Sequence, residues 1–211
     1  MAHSNRRIIP ENFQRYFIQF LSPIVNLSTK WGLSPNSFTI AGVLITSVAA
    51  AAFLLGFIRL GGILILLGGL CDTIDGQLAR HSGRACRFGA LLDSTVDRYS
   101  EFIMFFGIVA YFAYIGFYGT AAATFLAMWG SFMVSYTRAR AESLGFDAKI
   151  GALQRPERIV LIGLGAVIHI VAFELAVWLV AILANFTALQ RIRYAYKQEA
   201  KKFKAEAVVK T

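Results

Sequence analysis

Uncharged runs dominate this chain, and their lengths predict its elements. Twenty-eight uncharged residues lie between Lys30 and Arg59, and a helix needs about 20 apolar residues to cross roughly 30 Å of hydrocarbon. One full span is expected there, with Ser34 or Asn36 as N-cap around Pro35. Only 12 uncharged residues separate Arg59 from Asp72, about 18 Å of helix. A second span must therefore run past Asp72 and Asp75 toward Arg80, which sets both carboxylates at membrane depth. The 36 uncharged residues from Phe102 to Thr137 are too many for one span. Two helices meeting near Gly116–Gly119 accommodate them if the first starts before Asp93 and the second continues beyond Arg138. Fifteen uncharged residues follow Arg158, then Glu174, then 16 more before Arg191. They predict two further helices with a turn near Glu174.

Residues 8–25 carry a different pattern. Ile8, Ile9, Phe13, Phe17, Phe20 and Leu21 recur near helical spacing, with Gln14 and Arg15 interleaved. This predicts an amphipathic helix on the membrane surface. The expected architecture is all-α: six transmembrane helices behind an N-terminal surface helix, within a membrane domain of residues 1–195. Residues 196–211 form a basic cytosolic tail that can touch anionic lipid.

Composition supports a membrane protein over a soluble one. The chain is 57% hydrophobic and 16% charged, with mean hydropathy +0.59, too little charge to cover a soluble surface. The net charge of +9 does not indicate nucleic-acid binding, because the charges sit between apolar runs and not on one soluble face. Instead the basic residues set orientation. Of the 21 Lys and Arg, Arg59 alone falls in an outer connection, so both termini are expected on the cytosolic side of the cell membrane. Cys71 and Cys86 make no disulfide or zinc pattern. The N-terminus lacks the apolar core and small-residue site of a cleaved signal peptide.

The chemistry is concentrated in carboxylates. Four of the 12 acidic residues fall within Asp72–Asp97. Asp72 and Asp75 share one helix face, as do Asp93 and Asp97, and the short connection HSGRAC folds one helix back toward the other. Four such groups require cations to stay ionised together, and hard oxygen ligands select magnesium, manganese or calcium. Gly76 and Gly89 leave space beside them, and Arg80 continues the face of Asp72 and Gly76 toward a phosphate. A divalent-metal transporter is the alternative of a different class. It would place its carboxylates near the bilayer centre on broken helices, whereas these lie toward one interface beside an arginine. No Walker-type loop or Rossmann glycine pattern is present.

The string Asp72-x2-Asp75-Gly76-x2-Ala79-Arg80-x8-Gly89-x3-Asp93-x3-Asp97 resembles the full signature of the CDP-alcohol phosphotransferases. The similarity extends to the six spans, the surface helix and the segment Leu33–Thr39. The resemblance implies transfer of a phosphatidyl group from a CDP-lipid to an alcohol, with release of CMP. It implies that Asp72, Asp75, Asp93 and Asp97 hold two Mg2+ ions, with Mn2+ a possible substitute, and that Asp97 is also the general base. It places Asn36, Ser37, Phe38, Thr39, Asp72, Gly76, Ala79, Arg80, Cys86 and Gly89 around the CDP-lipid, and it implies a homodimer.

The segments Ser135–Glu142 and Gln154–Arg158 resemble bacterial phosphatidylinositol-phosphate synthases and the archaeal synthases of the equivalent archaeol lipid. That similarity implies CDP-diacylglycerol or CDP-archaeol as donor and inositol 1-phosphate as acceptor. The acceptor's phosphate would be held by Ser135, Arg138, Arg140, Arg158 and Arg191. Arg138 stands where the bacterial synthases have lysine, and Cys86 where they have a hydroxyl side chain. Glycerol 3-phosphate is the nearest alternative acceptor. His169 is expected to hydrogen-bond between packed helices, and Trp129 and Trp178 to pack or anchor at the interface.

Overall fold

The computed structural model describes residues 11–83, 86–148, 150–151 and 153–209. Among them there are seven α-helices and no strand: α1 (Glu11–Lys30), α2 (Pro35–Leu54), α3 (Ile58–His81), α4 (Arg87–Tyr114), α5 (Tyr118–Ser143), α6 (Arg155–Ile168) and α7 (Ile170–Val209). Two segments, Pro35–Leu54 and Ile170–Lys202, are by themselves long and apolar enough to cross a membrane. Large apolar side chains on the outside of the other helices, such as Ile63, Leu67, Phe102, Phe106, Phe125 and Leu164, are also exposed. Trp129 and Trp178 face outward with them.

Local chemistry sets the boundaries. Ser34 caps α2, its Oγ accepting from Ser37 N–H at 3.3 Å with Pro35 in the first turn. The α2–α3 and α4–α5 turns share one design. Gly56 and Gly116 take positive φ (83° and 81°), and the Phe after each donates its N–H five residues back, Phe57 to Ala52 and Phe117 to Phe112. This closes a helix end that only glycine adopts without strain. Within α1, Pro23 has no N–H for the Gln19 carbonyl, and the Ser22 hydroxyl donates to it instead at 2.7 Å.

α1 lies against α3. Its Leu21 and Val25 are buried with Ile74 and Leu78, while Tyr16, Phe20 and Leu27 stay exposed. Ile8 and Ile9, which belong to the surface helix expected from sequence, lie outside the described residues, as does the side chain of Phe13.

Two expectations about the C-terminal third are corrected. The turn comes at His169, not near Glu174. His169 is extended (φ −167°, ψ 155°) between α6 and α7, and its Nδ1 accepts from Val171 N–H. It therefore starts α7 and does not bridge packed helices. Glu174 needs no turn to reach water because Thr120 on α5 donates a hydrogen bond to it. The basic tail is helical, a form consistent with its reading as a helix or coil: α7 runs through position 195, since the Ala-, Lys-, Gln- and Glu-rich sequence beyond it favours helix. Gln198 ties it back to the α5–α6 connection by bonds with the backbone N–H and C=O of Asp147.

The core sits toward the end of the bundle that holds these turns. Phe173 (α7) stacks on both Phe53 (α2) and Phe112 (α4), each pair of ring centroids 5.3 Å apart. Small residues then allow close backbone approach. A Cβ on Gly107 of α4 would lie 2.5 Å from the carbonyl oxygen of Ala50 on α2. Backbone cannot swing aside, so Gly107→Ala should force the helices apart at a cost of about 1–3 kcal/mol. Thermal unfolding in detergent should show a lower midpoint, and an unchanged midpoint would mean that the α2–α4 contact is not tight.

Candidate active site

The connection between α3 and α4 fixes the register of the four aspartates. Asp72 lies nine residues before the end of α3, and Asp97 ten residues into α4, so both are about 14–15 Å from the connection. Asp75 and Asp93 are each six residues from it, or about 9 Å. Antiparallel helices therefore set Asp72 opposite Asp97 and Asp75 opposite Asp93. The two helices hardly touch each other. Each leans on α2, while α3 also packs on α6 and α4 on α5. The carboxylates thus face one another across a cleft, and each lies within electrostatic reach of another.

Across this cleft lies Arg155, the first residue of α6. One terminal nitrogen is 2.6 Å from Asp72 Oδ2 and the other 2.7 Å from Asp97 Oδ1. The shortness of α6 makes this reach possible. Its 14 residues span about 21 Å, shorter than the neighbouring α3 and α7, so it begins part-way along the bundle. Arg155 is 14 residues from His169, just as Asp72 is 14 residues from Ile58, which puts the two at equal height above the outer turns. Sequence reasoning passed over Arg155. The available signal was an arginine beside Pro156 at a helix start, which reads as an ordinary surface cap.

The remaining aspartate contacts come from α2. Buried Thr39 donates its hydroxyl to Asp75 Oδ2 at 2.7 Å, so a residue expected at the CDP-lipid holds a carboxylate in place. A Cβ on Gly42 would sit 2.8 Å from Asp72 Oδ1, and the absence of a side chain there makes room for that carboxylate. Asn36 and Ser37 are exposed at the start of α2, and Phe38 packs against the α1–α3 cluster. On α3, the Arg80 guanidinium lies over Gly76, and Ala79 is half-buried. Cys86 caps α4, its Sγ accepting from Gly89 N–H at 3.3 Å. Both cysteines are free.

The expected acceptor arginines separate into two groups. Arg158 is fully buried, with Nε and a terminal nitrogen both 2.7 Å from Glu101 Oε1. It is locked in the α4–α6 contact and does not project into an open pocket. Arg191 is also buried, donating to the carbonyls of Ile150 (2.8 Å) and Val134, so it ties α7 to α5 and to the α5–α6 connection. Ser135 is partly buried with its hydroxyl on Ser131 C=O, Arg138 pairs with Glu142 at 2.9 Å, and Arg140 is exposed. Arg138, Arg158 and Arg191 nevertheless share one electrostatic neighbourhood. Arg98, another residue that sequence reasoning missed, lies 3.2 Å from Asp97 Oδ2.

The donor chemistry fits a hard divalent cation: four carboxylates from two helices, with space kept by Gly42. Among the described residues no three acidic, His or Cys side chains converge on one point. Arg155 draws an oxygen from each of Asp72 and Asp97, and Thr39 draws one from Asp75.

The family model for CDP-alcohol phosphatidyltransferases matches residues 32–190. The chain belongs to that family. Among related phosphatidyltransferases, the archaetidylinositol phosphate synthase of Pyrococcus horikoshii is 41% identical over 168 residues, covering 79% of this chain and 86% of that one. The phosphatidylinositol phosphate synthase of Mycobacteroides abscessus is 34% identical over 184 residues, covering 83% of each. The crystal structure of Mycobacterium tuberculosis phosphatidylinositol phosphate synthase with CDP-DAG bound matches with TM-score 0.77 at 30% identity, covering 84% of this chain and 94% of that one. The same synthase in complex with manganese and citrate matches with TM-score 0.73 at 31% identity, covering 82% of this chain and 88% of that one. This chain is thus a phosphatidyltransferase of phospholipid synthesis, and the transporter alternative is set aside.

Proposed function

We propose that this phosphatidyltransferase moves the phosphatidyl group of CDP-diacylglycerol onto inositol 1-phosphate, giving phosphatidylinositol phosphate and CMP. The observation that carries the reading is the facing of Asp72–Asp75 and Asp93–Asp97 across the α3–α4 cleft, with arginines of α5, α6 and α7 gathered beside it. The four aspartates would hold two Mg2+ ions, or Mn2+ in their place. Bound there, the metal supplies charge neutralisation for the pyrophosphate and the departing CMP. Asp97 takes the proton of the acceptor hydroxyl as that oxygen attacks the β-phosphorus. The bond from phosphorus to the CMP oxygen breaks, and the electron pair leaves with CMP. Gly76, Ala79, Arg80, Cys86 and Gly89 line the nucleotide side, and residues 36–39 close over it.

The acceptor's phosphate is assigned to the accessible Ser135, Arg138 and Arg140. Buried Arg158 and Arg191 contribute positive field and hold the helices that shape the pocket. Six spanning elements, cytosolic termini, a cytosolic active site and a homodimer complete the proposal. It rests on the charge asymmetry of the connections, on the apolar outer surface of the helices, and, for the dimer, on family resemblance. α6 is the element too short to cross alone, and its inner connection dips to meet the site.

The test is CMP release by purified protein in detergent, supplied with CDP-diacylglycerol, Mg2+ and one acceptor at a time. Inositol 1-phosphate should support turnover that chelation abolishes. Preference for glycerol 3-phosphate would keep the phosphate pocket and change the product. Preference for unphosphorylated inositol or serine would overturn the pocket. Replacing the donor by CDP-archaeol identifies the lipid tail.

A further inference from the structure

Granted the metal role proposed above for Asp72 and Asp97, the geometry points to Arg155 as a built-in counter-ion that competes with the divalent cation for these two carboxylates and leaves them when it binds. A single guanidinium spans both helices of the cleft, 2.6 Å from Asp72 on α3 and 2.7 Å from Asp97 on α4. Each contact occupies an oxygen that a metal ligand set would use, so guanidinium and cation draw on the same negative charge and repel each other across it. The exchange is electrostatically favourable, since the single charge that Arg155 brings, beside that of Arg98 on Asp97, is replaced by two or more.

Arg155 is also free to leave. Its Nε is buried with no acceptor, and among the described residues no hydrogen bond beyond the two carboxylates retains the head group. It is the first residue of α6, on a long side chain at the end of a helix. Nor is it needed to fasten that helix turn. Three residues on, Arg158 already anchors α6 to α4 through its buried pair with Glu101. A purely structural latch at Arg155 would duplicate that anchor, whereas an exchangeable one keeps the cleft neutralised and assembled until metal arrives.

Mn2+ binding to the purified full-length protein in detergent, followed by electron paramagnetic resonance, tests this. Arg155→Gln removes the competitor, so it should bind Mn2+ about ten- to a hundredfold more tightly than wild type, the equivalent of one charged hydrogen bond. Its thermal midpoint should fall in chelator and recover with saturating Mn2+, while Arg155→Lys, which keeps the charge but lacks the two-armed fork, should bind Mn2+ with an affinity between the two. Equal or weaker Mn2+ binding by Arg155→Gln, with wild type binding normally, overturns the inference and leaves the metal assignment standing. Failure of wild type to bind Mn2+ at all overturns both. A wild-type measurement is independent of the variants: phenylglyoxal labelling read by peptide mass spectrometry. Mn2+ should speed modification of Arg155, and protection of Arg155 by Mn2+ would overturn the competition.

Discussion

Asp97→Asn is expected to lower turnover by about a hundredfold or more, the loss typical of removing a general base. The amide has nearly the size of the carboxylate and keeps an acceptor oxygen for Arg155 Nη1, now 2.7 Å away, so the α4–α6 contact should survive. What disappears is the negative charge that takes the acceptor's proton. The fall should therefore appear mainly in kcat, with the KM for CDP-diacylglycerol changed far less. Steady-state CMP release with both substrates varied, alongside Mn2+ binding to the same variant, separates the two roles given to this residue. If Mn2+ affinity collapses and kcat at saturating metal is normal, Asp97 is a ligand and not the base. Near-normal activity at ordinary metal concentration would remove it from the mechanism.

Glu101→Gln carries the largest expected effect on stability. Glu101 and Arg158 are both essentially inaccessible to solvent, and their heads meet at 2.7 Å. Removing one member leaves the other charge buried and unpaired, which costs about 3–5 kcal/mol. Replacing both by apolar residues of similar volume, Glu101→Leu with Arg158→Met, should restore most of the stability, because desolvation of the pair offsets much of its attraction. Thermal unfolding of the two single variants and the double variant measures the coupling. The same double variant decides what Arg158 does for the acceptor. If Arg158 only supports the pocket, the KM for inositol 1-phosphate stays within a few-fold of wild type. A rise of about ten- to a hundredfold, with full stability, would return Arg158 to direct phosphate contact.

Much of the site was legible in the sequence because its chemistry is written in spacing. Asp72 and Asp75, three apart, and Asp93 and Asp97, four apart, could only share faces, and the short connection HSGRAC limited where those faces point. The α2 N-cap, offered as Ser34 or Asn36, and the turn near Gly116–Gly119 were equally local, and local hydrogen bonding settled the cap on Ser34. Glu174 was misread because charge alone suggested a turn, whereas Thr120, 54 residues earlier, satisfies it sideways. The burial of Arg158 and Arg191 was not legible for a similar reason. Their charge is plain in the sequence, but the Glu101 carboxylate that pairs with Arg158 and the Ile150 and Val134 carbonyls that hold Arg191 lie 41 to 57 residues away.

The sequence by itself determined an all-helical chain, the identity of the four carboxylates and their pairing along each helix, since helical periodicity and the energetic penalty for charge in an apolar run act within a few turns. The tertiary structure decided which cation those carboxylates meet. Nothing near Arg155 in sequence announces a partner. Its place between Asp72 and Asp97 follows from α6 starting about 21 Å from the outer turn, level with Asp72, and from α3 and α4 resting on α2 instead of on each other. Helix length and neighbour choice are properties of the packed bundle, and they set the width of the cleft that a guanidinium of fixed size can span.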